Sequence, residues 1–404
     1  MATPEIDLTV YPDECDAYGH LNQASFVALF ERARWEVLAR GPGMDFFTRR
    51  GVWPAVRKSV VEYLAQAYPG DVLRFSQLLV HVGRTSFTIR QMARRQRDDL
   101  LVATAELVFV CVDQRGTPVP APSELPNVFG DRPLPGNLRR VAVNGVNLAV
   151  LAKGQGPAIL FIHGYPLDHS IWEHQVAHLE GWTRIAPDLR GMGQSDAPDL
   201  GYSMQTYAED LLALLTAMGV DKVVLCGLSM GGYVAFEILR RARERVRGLI
   251  LMDTRAEADT AEGKRARDAA AQQAREGGAE AIAEAMLPKM LATAPAPGQA
   301  ELRQKLRRMM TATPVSGILG ALGALKERPD SHSLLPTLKG VPTLVVVGED
   351  DQITPVAGAR TMAAAIPGAQ LRVVSGAGHL TPLEQPDVTT RAVADFLATL
   401  PRGD

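Results

Sequence analysis

The spacing of hydrophobic and polar positions changes near residue 137. Before that point, Phe26, Leu29, Phe30, Ala33 and Val37 recur at helical spacing, which predicts one helix over 23–40 that ends at a glycine-proline pair. Strand-like segments at 5–11, 55–64, 72–82, 85–95 and 101–112 surround it in sequence, with turn signals between the later ones. A short strand, a helix and an antiparallel meander predict an α+β fold whose sheet wraps the helix.

Strands and helices alternate in the second part of the chain. Strand-like runs lie at 158–162, 184–187, 222–226, 247–252, 342–347 and 371–374. Helical stretches lie near 205–218, 230–242, 354–365 and 384–399. This alternation predicts a mostly parallel sheet covered by helices on both faces.

Prolines crowd the stretch between these two patterns. This composition suits an extended linker, and the prolines are Pro118, Pro120, Pro122, Pro126, Pro133 and Pro135. We predict a first domain at 1–130, a linker at 131–138 and a second domain at 139–404. Within the second domain, an Ala-, Glu- and Arg-rich insertion at about 255–331 has helical periodicity and predicts a helical cap.

The composition and the net charge of the chain indicate which class of binding partner to expect. Hydrophobic residues make up 46% of the 404 positions and charged residues 22%, as in globular proteins. With 43 basic and 45 acidic side chains, no strong field favours nucleic acid or an anionic membrane, so small-molecule partners are expected. The chain start lacks signal-peptide features and no apolar run reaches transmembrane length, which predicts a cytoplasmic location. Three cysteines without metal-ligand spacing predict reduced thiols, and we expect no metal or cofactor.

A G-x-S-x-G motif spans residues 227–231, between an apolar strand-like run and a helical pattern. A serine on such a strand-to-helix turn is typical of a nucleophile elbow, because the sharp turn exposes its hydroxyl above the sheet. Only small residues fit beside the turn, and Gly227 and Gly231 supply them. The alternative is an ordinary glycine turn after a strand.

On these motifs, residues 137–400 resemble the α/β-hydrolase family, in which the chain order is Ser, then Asp or Glu, then His. Only two histidines follow Ser229, and His379 alone of these lies in a loop after a late strand, where it matches the family's catalytic histidine. Asp351 matches the acid, with Asp350 as the neighbouring alternative and Asp253 as a further one. The resemblance places the oxyanion-binding amides on Met230 and Tyr165 and implies that the cap roofs the site.

The segments at 227–233 and 252–255 are similar to those of enol-lactonases and small carboxylesterases. This likeness implies an ester or a lactone as substrate. The cofactor-free haloperoxidases and carbon–carbon hydrolases share the triad, so these activities stay open for the second domain.

A polar loop at 13–22 precedes the first helix and carries Asp16, His20 and Asn22. A carboxylate there can attack a thioester or activate water, with helix N-terminal amides holding the oxyanion. Residues 5–115 resemble the hot-dog acyl-CoA thioesterases of the 4-hydroxybenzoyl-CoA thioesterase-like family, which carry their catalytic carboxylate at the position of Asp16. The three residues also match the spacing in plant acyl-ACP thioesterases, which implies that His20 and Asn22 orient substrate or water. Alternatively, Asp16 and Asn22 only turn and cap the chain.

The sequence thus predicts a two-domain acyl hydrolase that acts on esters or lactones and on acyl-CoA thioesters. Hot-dog thioesterases build their sites between subunits, so the resemblance implies a homo-oligomer, a dimer or tetramer, formed through the first domain. The alternative for that domain is a non-catalytic module that binds acyl-CoA or mediates dimerisation.

Overall fold

The computed structural model describes residues 5–129, 138–294 and 298–400. The chain divides into two compact units, Met1–Pro133 and Leu134–Asp404. Residues 131–137 of the predicted linker lie outside the described residues. No helix in the described ranges combines the length and the apolar character needed to cross a membrane.

The first unit is a five-stranded antiparallel sheet with one long helix. Its strand order is β1-β3-β4-β5-β2, which confirms the predicted α+β fold. In chain order the elements are β1 (Glu5–Thr9), α1 (Gln23–Arg40), β2 (Trp53–Tyr63), β3 (Val72–Val82), β4 (Ser86–Arg95), β5 (Leu100–Val112) and α2 (Leu125–Phe129).

The apolar stripe of α1 forms the centre of this unit's core. Phe26, Leu29 and Phe30 are buried, and the Phe30 ring meets the Phe75 ring of β3 edge-on at 5.2 Å. Such aromatic contacts add to the stabilisation that area burial provides. The helical periodicity of the sequence therefore marked the face that packs on the sheet.

The proline-rich stretch is only partly extended. The amides of Val119 and Ala121 donate to the carbonyls of Cys111 and Arg84, both at 2.9 Å. The short helix α2 then buries Leu125, Val128 and Phe129 in the core of the first unit. Apolar side chains between the prolines thus hold residues 118–129 in this unit, and burial of those side chains outweighs the linker-like composition.

The second unit is built on an eight-stranded sheet of order β13-β12-β11-β10-β8-β9-β7-β6. Strands from β13 to β9 run parallel, and β7 and β6 join antiparallel at one edge, which confirms the predicted mostly parallel sheet. In chain order the elements are β6 (Leu138–Val143), β7 (Val146–Lys153), β8 (Ala158–Ile162), α3 (Glu173–His178), β9 (Thr183–Pro187), α4 (Met204–Ala217), β10 (Val223–Leu228), α5 (Met230–Ala242), β11 (Val246–Met252), α6 (Ala261–Met290), α7 (Gln299–Thr311), α8 (Val315–Lys326), β12 (Thr343–Gly348), α9 (Val356–Ala365), β13 (Gln370–Val374), α10 (Thr381–Glu384) and α11 (Pro386–Ala398).

The carboxyl ends of the parallel strands bring the chemically interesting loops to one edge of the sheet. Ser229 follows β10, Asp253 follows β11, Asp351 lies shortly after β12, and His379 lies shortly after β13. Open parallel sheets bind their ligands at this edge. The helices α6, α7 and α8 lie in the insertion between β11 and β12, at the position predicted to form a cap.

Candidate functional site

Ser229 occupies a strained turn between β10 and α5. Its backbone has φ 52° and ψ −114°, a conformation that side-chain-bearing residues rarely adopt. The turn is held in place on both sides: the Ser229 amide donates to the Met252 carbonyl at 3.0 Å, and the Thr254 hydroxyl donates to the Ser229 carbonyl at 2.7 Å. Such an arrangement presents the serine hydroxyl at the carboxyl edge of the sheet.

The glycines of the motif are required by close packing around this turn. A Cβ atom on Gly231 would lie 2.1 Å from the Ile162 carbonyl oxygen, and one on Gly227 would lie 2.4 Å from the Gly231 carbonyl oxygen. A Cβ on Gly164 would lie 3.1 Å from the Ser229 Cβ, so the end of β8 is packed directly against the serine. The close packing around this turn therefore explains why the sequence has glycine at both positions of the motif.

Asp351 and His379 are brought together in the interior. The Nδ1 atom of His379 lies 2.9 Å from Oδ2 of Asp351, and both side chains are almost fully buried. The amides of Ile353 and Thr354 donate to Oδ1 of Asp351, and the Thr354 hydroxyl donates to Oδ2 at 2.6 Å. Asp350, the neighbouring alternative, uses its amide to bond the Ala377 carbonyl.

These contacts set the charge state of the acid. Burial alone would raise the pKa of Asp351, but the hydrogen bond and charge of His379 and the Thr354 donors hold it below its ordinary value. Asp351 is therefore a carboxylate at neutral pH. It fixes the imidazole with Nδ1 toward the acid and Nε2 available to another group.

Asp253 links the two loops that carry this pair. Its Oδ1 accepts the Gly348 amide at 2.9 Å, and its Oδ2 accepts both the Thr381 amide and the Thr381 hydroxyl. The Asp253 side chain is fully buried. Burial and the charge of Asp351 raise the pKa of Asp253 to about 7, and the charge of His379 opposes this rise with a smaller effect. Among the described contacts, Asp253 bonds the chain next to the pair rather than His379 itself.

Glu384 holds the histidine loop from the other side. Its Oε1 accepts the amides of Gly378 and Leu380, and its Oε2 accepts the amide of Ala292, which follows the end of α6. The amide of His379 itself donates to the carbonyl of Met290, the last residue of α6, at 3.1 Å. The helical insertion is thus hydrogen-bonded to the backbone of the histidine. Sequence reasoning missed Glu384 and Thr354, because only the folded chain shows that Glu384 accepts main-chain amides of the histidine loop and that the Thr354 hydroxyl donates to Asp351.

The two predicted oxyanion donors lie beside the serine. Met230 is the first residue of α5, where an amide has no acceptor within its helix. Tyr165 follows Gly164, which packs on the Ser229 side chain.

Sequence reasoning also missed His163, which supports the loop after β8. This histidine is buried, its Nδ1 lies 2.8 Å from the Gly164 carbonyl, and its Nε2 accepts the Leu189 amide. Burial lowers the pKa of His163, so the ring is neutral.

Asp168, His169 and Asp188 form a group whose ligand atoms lie within 4.8 Å of one another. These atoms are already engaged. Oδ1 of Asp188 lies 2.7 Å from both the amide and Nδ1 of His169, Oδ2 accepts the Gln194 amide, and Asp168 accepts the Ser170 amide. The group therefore orders the loop after β9.

The predicted residues of the first unit share one loop at the start of α1. Oδ1 of Asp16 accepts the amides of Tyr18 and His20 at 2.9 and 3.1 Å, and the side chain is exposed in the single chain. Asn22 caps α1 by accepting the Ala24 amide at 2.7 Å. The His20 ring meets Tyr68 edge-on. The structure brings the three residues together, and two of them also satisfy local backbone amides.

A separate cavity of about 110 Å³ lies in the first unit between α1 and the sheet. Its walls are mostly apolar and include Leu38, Phe87 and Phe109, with Arg34 among the polar lining groups. Burial lowers the pKa of Arg34 to about 10, and its guanidinium donates to Gln91 at 2.7 Å. Asp16, His20 and Asn22 do not line this cavity.

An elbow serine and a buried histidine–carboxylate pair lie at the same sheet edge of the second unit, and this combination is typical of hydrolases. The alpha/beta hydrolase fold family matches residues 157–386, and the thioesterase-like superfamily matches residues 10–131. The chain therefore belongs to the α/β hydrolase family, with a thioesterase-like domain at its N-terminal side.

Three relatives illustrate this likeness. An esterase from Thermogutta terrifontis, solved with malate bound, is 40% identical with a TM-score of 0.62, covering 64% of this chain and 98% of that one. The enol-lactonase from Burkholderia xenovorans LB400 is 29% identical with a TM-score of 0.60, covering 64% and 100%. The 3-oxoadipate enol-lactonase 1 of Acinetobacter baylyi is 28% identical over 267 residues, 63% of this chain and 95% of that protein.

Proposed function

We propose that the second unit hydrolyses carboxylic esters or lactones with Ser229 as nucleophile, His379 as general base and Asp351 as its partner. The observation that carries this proposal is the 2.9 Å contact between His379 Nδ1 and Asp351 Oδ2, at the sheet edge where the strained Ser229 turn also ends. The similarity to an esterase and to enol-lactonases supports the choice of substrate class.

In this mechanism His379 accepts the hydroxyl proton as Ser229 attacks the carbonyl carbon. Asp351 keeps the imidazole in the required tautomer and stabilises the imidazolium. The amides of Tyr165 and Met230 stabilise the oxyanion, and collapse of the intermediate releases the alcohol with the proton from His379. Water then attacks the acyl-enzyme with His379 again as base, and the acid leaves as Ser229 recovers its proton.

Pre-steady-state kinetics test this assignment. A p-nitrophenyl ester should give a burst of p-nitrophenol, with an amplitude that approaches one per active site where deacylation limits turnover, because acylation precedes the addition of water. The burst should be absent in Ser229→Ala. A burst that persists in the variant contradicts the role of Ser229.

For the first unit, we propose hydrolysis of acyl-CoA thioesters with Asp16 as the catalytic carboxylate and with His20 and Asn22 as polar supports. Two observations support this: Asp16 is accessible in a loop at the N-terminus of α1, and residues 10–131 match the thioesterase-like superfamily. Amides at a helix start can stabilise the oxyanion of a thioester intermediate.

A second candidate for this unit is a non-catalytic acyl-CoA-binding or dimerisation module. The observation that favours it is that Oδ1 of Asp16 already accepts two amides of its own loop. Steady-state hydrolysis of an acyl-CoA panel, with free CoA measured by a thiol reagent in the Ser229→Ala protein, separates the two. Turnover supports the thioesterase; saturable binding without turnover supports the module.

We further propose that the protein dimerises through β2. This strand lies at the edge of its sheet and exposes apolar side chains, with Val56 52% and Val60 46% accessible. Long, apolar edge strands favour pairing with another strand. Sedimentation velocity of the full chain should show a dimer, and Val60→Lys should weaken it. A monomeric wild-type protein with full thioesterase activity would contradict a site shared between subunits.

A further inference from the structure

A group of three arginines surrounds one carboxylate where the chain leaves β11 and enters α6. Within this arginine cluster, Arg328 Nη1 and Arg267 Nε lie 2.8 and 3.0 Å from the oxygens of Asp259, and Arg255 Nη2 lies 3.6 Å from Oδ1. The Asp259 side chain is only 3% accessible. Glu257 is a further acidic neighbour of Arg255, but its carboxylate lies 3.5 Å from His332. The cluster therefore carries an excess of positive charge.

The three guanidiniums differ in how many of their donors are used. Arg328 is fully engaged: its nitrogens bond the carbonyls of Glu257 and Leu325 as well as Asp259, and it stacks over the Tyr233 ring at 4.4 Å. In the described part of the chain, Arg267 donates only through Nε, and the buried Nε of Arg255 has no acceptor. Arg328 therefore anchors the chain. Among the described residues, Arg255 and Arg267 each retain N–H groups without an acceptor.

Residues next to the cluster in the chain or in contact with it connect it to the turn of the proposed nucleophile. Thr254, directly before Arg255, bonds the Ser229 carbonyl, and Tyr233, which interacts with Arg255, is four residues after Ser229. Tyr165 follows Gly164, which packs on Ser229; burial raises the pKa of Tyr165, and the positive charge of Arg267 opposes this rise. The Tyr165 hydroxyl is itself buried without a partner among the described residues.

We propose that Arg255 and Arg267 bind a free carboxylate on the substrate, so that the second unit prefers esters or lactones that carry a negative charge beside the bond to be hydrolysed. This inference rests on the proposed ester hydrolysis. Guanidinium groups match carboxylate geometry and form charge-assisted hydrogen bonds. A carboxylate ligand would supply the acceptors that Arg255 Nε and the Tyr165 hydroxyl lack and would balance the excess charge.

The test compares a charged and a neutral substrate of similar length, mono-p-nitrophenyl succinate and p-nitrophenyl butyrate. Wild-type protein should have the higher kcat/KM for the succinate half-ester. Arg255→Gln and Arg267→Gln should each lower this value about 10- to 100-fold, mainly through KM, and change the butyrate value less than about threefold. Arg275→Gln, an exposed arginine on the same helix α6, is the matched control and should change neither.

Several outcomes overturn the proposal. Equal loss for both substrates in the Arg255 and Arg267 variants, with the control unchanged, assigns these residues to holding the fold. A wild-type preference for the neutral ester contradicts the anion site while leaving ester hydrolysis intact. No hydrolysis of either ester by wild-type protein contradicts the proposed function instead. Calorimetry of succinate binding to Ser229→Ala gives a readout without turnover: binding that Arg267→Gln does not weaken also rejects the site.

Discussion

The two candidate sites of this chain use similar polar and charged side chains, but these side chains differ in burial and in the hydrogen bonds that support them. In the second unit, Asp351 and His379 are buried, contact each other, and are supported by Asp253 and Glu384 through main-chain amides. In the first unit, the Asp16 side chain is exposed, and within the described part of the chain its bonds are to amides of its own loop. Hydrogen bonds make a buried polar network rigid, and in the second unit both oxygens of Asp351 and the Nδ1 atom of His379 have partners.

This contrast indicates whether each site is formed by one chain or needs a second copy of the chain. The second unit assembles its polar groups from four strand ends of one sheet, so a single chain contains the whole arrangement. The first unit offers a carboxylate at the surface and an apolar edge strand, which fits a site that needs a second copy of the chain. If the two sites are independent in this way, substitutions in one unit should leave the activity of the other unchanged.

The largest effect is expected for Ser229→Ala. Loss of the nucleophile from a triad that acts as a unit lowers kcat by on the order of 10⁶ in subtilisin, and the same chemistry is proposed here. Ester hydrolysis should therefore fall to background, while acyl-CoA hydrolysis should be unchanged. Spectrophotometric assays of both substrates on the same preparation measure this. Unchanged ester turnover would exclude the assignment of Ser229.

Asp16→Asn should lower acyl-CoA turnover by about 10²- to 10⁴-fold, because an amide cannot act as a base. The amide oxygen can still accept from Tyr18 and His20, so the loop should keep its conformation. Ester hydrolysis provides the internal control. Full thioesterase activity in a protein that also carries Ser229→Ala would show that Asp16 is only a turn residue.

Asp253→Asn should change how stability depends on pH. The pKa of an aspartate is near 4 in an unfolded chain, whereas burial raises that of Asp253 to about 7. The folded state thus holds an extra proton between these values, and the contribution of this group to the free energy of unfolding falls as pH rises through that window. The wild-type protein should therefore lose stability relative to the variant as pH rises from 4 to 7, by at most about 1.4 kcal/mol for each pH unit.

Urea unfolding of both proteins at several pH values between 4 and 8 measures this difference. The two curves of unfolding free energy against pH should converge or cross as pH rises, and they should run parallel only from about pH 8, one unit above the folded-state pKa. A constant difference over the whole range would mean that Asp253 keeps its ordinary pKa.

The smallest effect is expected at Asn22. Its side chain caps α1, so Asn22→Ala should lower the free energy of unfolding by about 1 kcal/mol, whereas Asn22→Asp should retain the cap. If Asn22 also orients the thioester, both substitutions will lower acyl-CoA turnover. Retained turnover in Asn22→Asp together with lost stability in Asn22→Ala assigns the residue to the cap alone.

Local patterns predicted much of this architecture. The helix at Gln23–Arg40 has the predicted bounds because its apolar period and its Gly41 end signal are both local. The Ser229 motif was visible because the glycines fit one sharp turn. Residues that act through distant backbone were not visible: Glu384 bonds an amide 92 positions away, and Asp253 one 128 positions away. Only the sheet topology brings such pairs together.

The most direct test of two separate sites is covalent labelling with a p-nitrophenyl phosphonate, which mimics the tetrahedral intermediate of ester hydrolysis. Intact mass should increase by one adduct, peptide mapping should place it on Ser229, and ester hydrolysis should disappear while acyl-CoA hydrolysis remains at its original rate. Loss of acyl-CoA hydrolysis in proportion to labelling, or an adduct on another residue with ester hydrolysis abolished, would contradict two independent sites with Ser229 as the nucleophile of one.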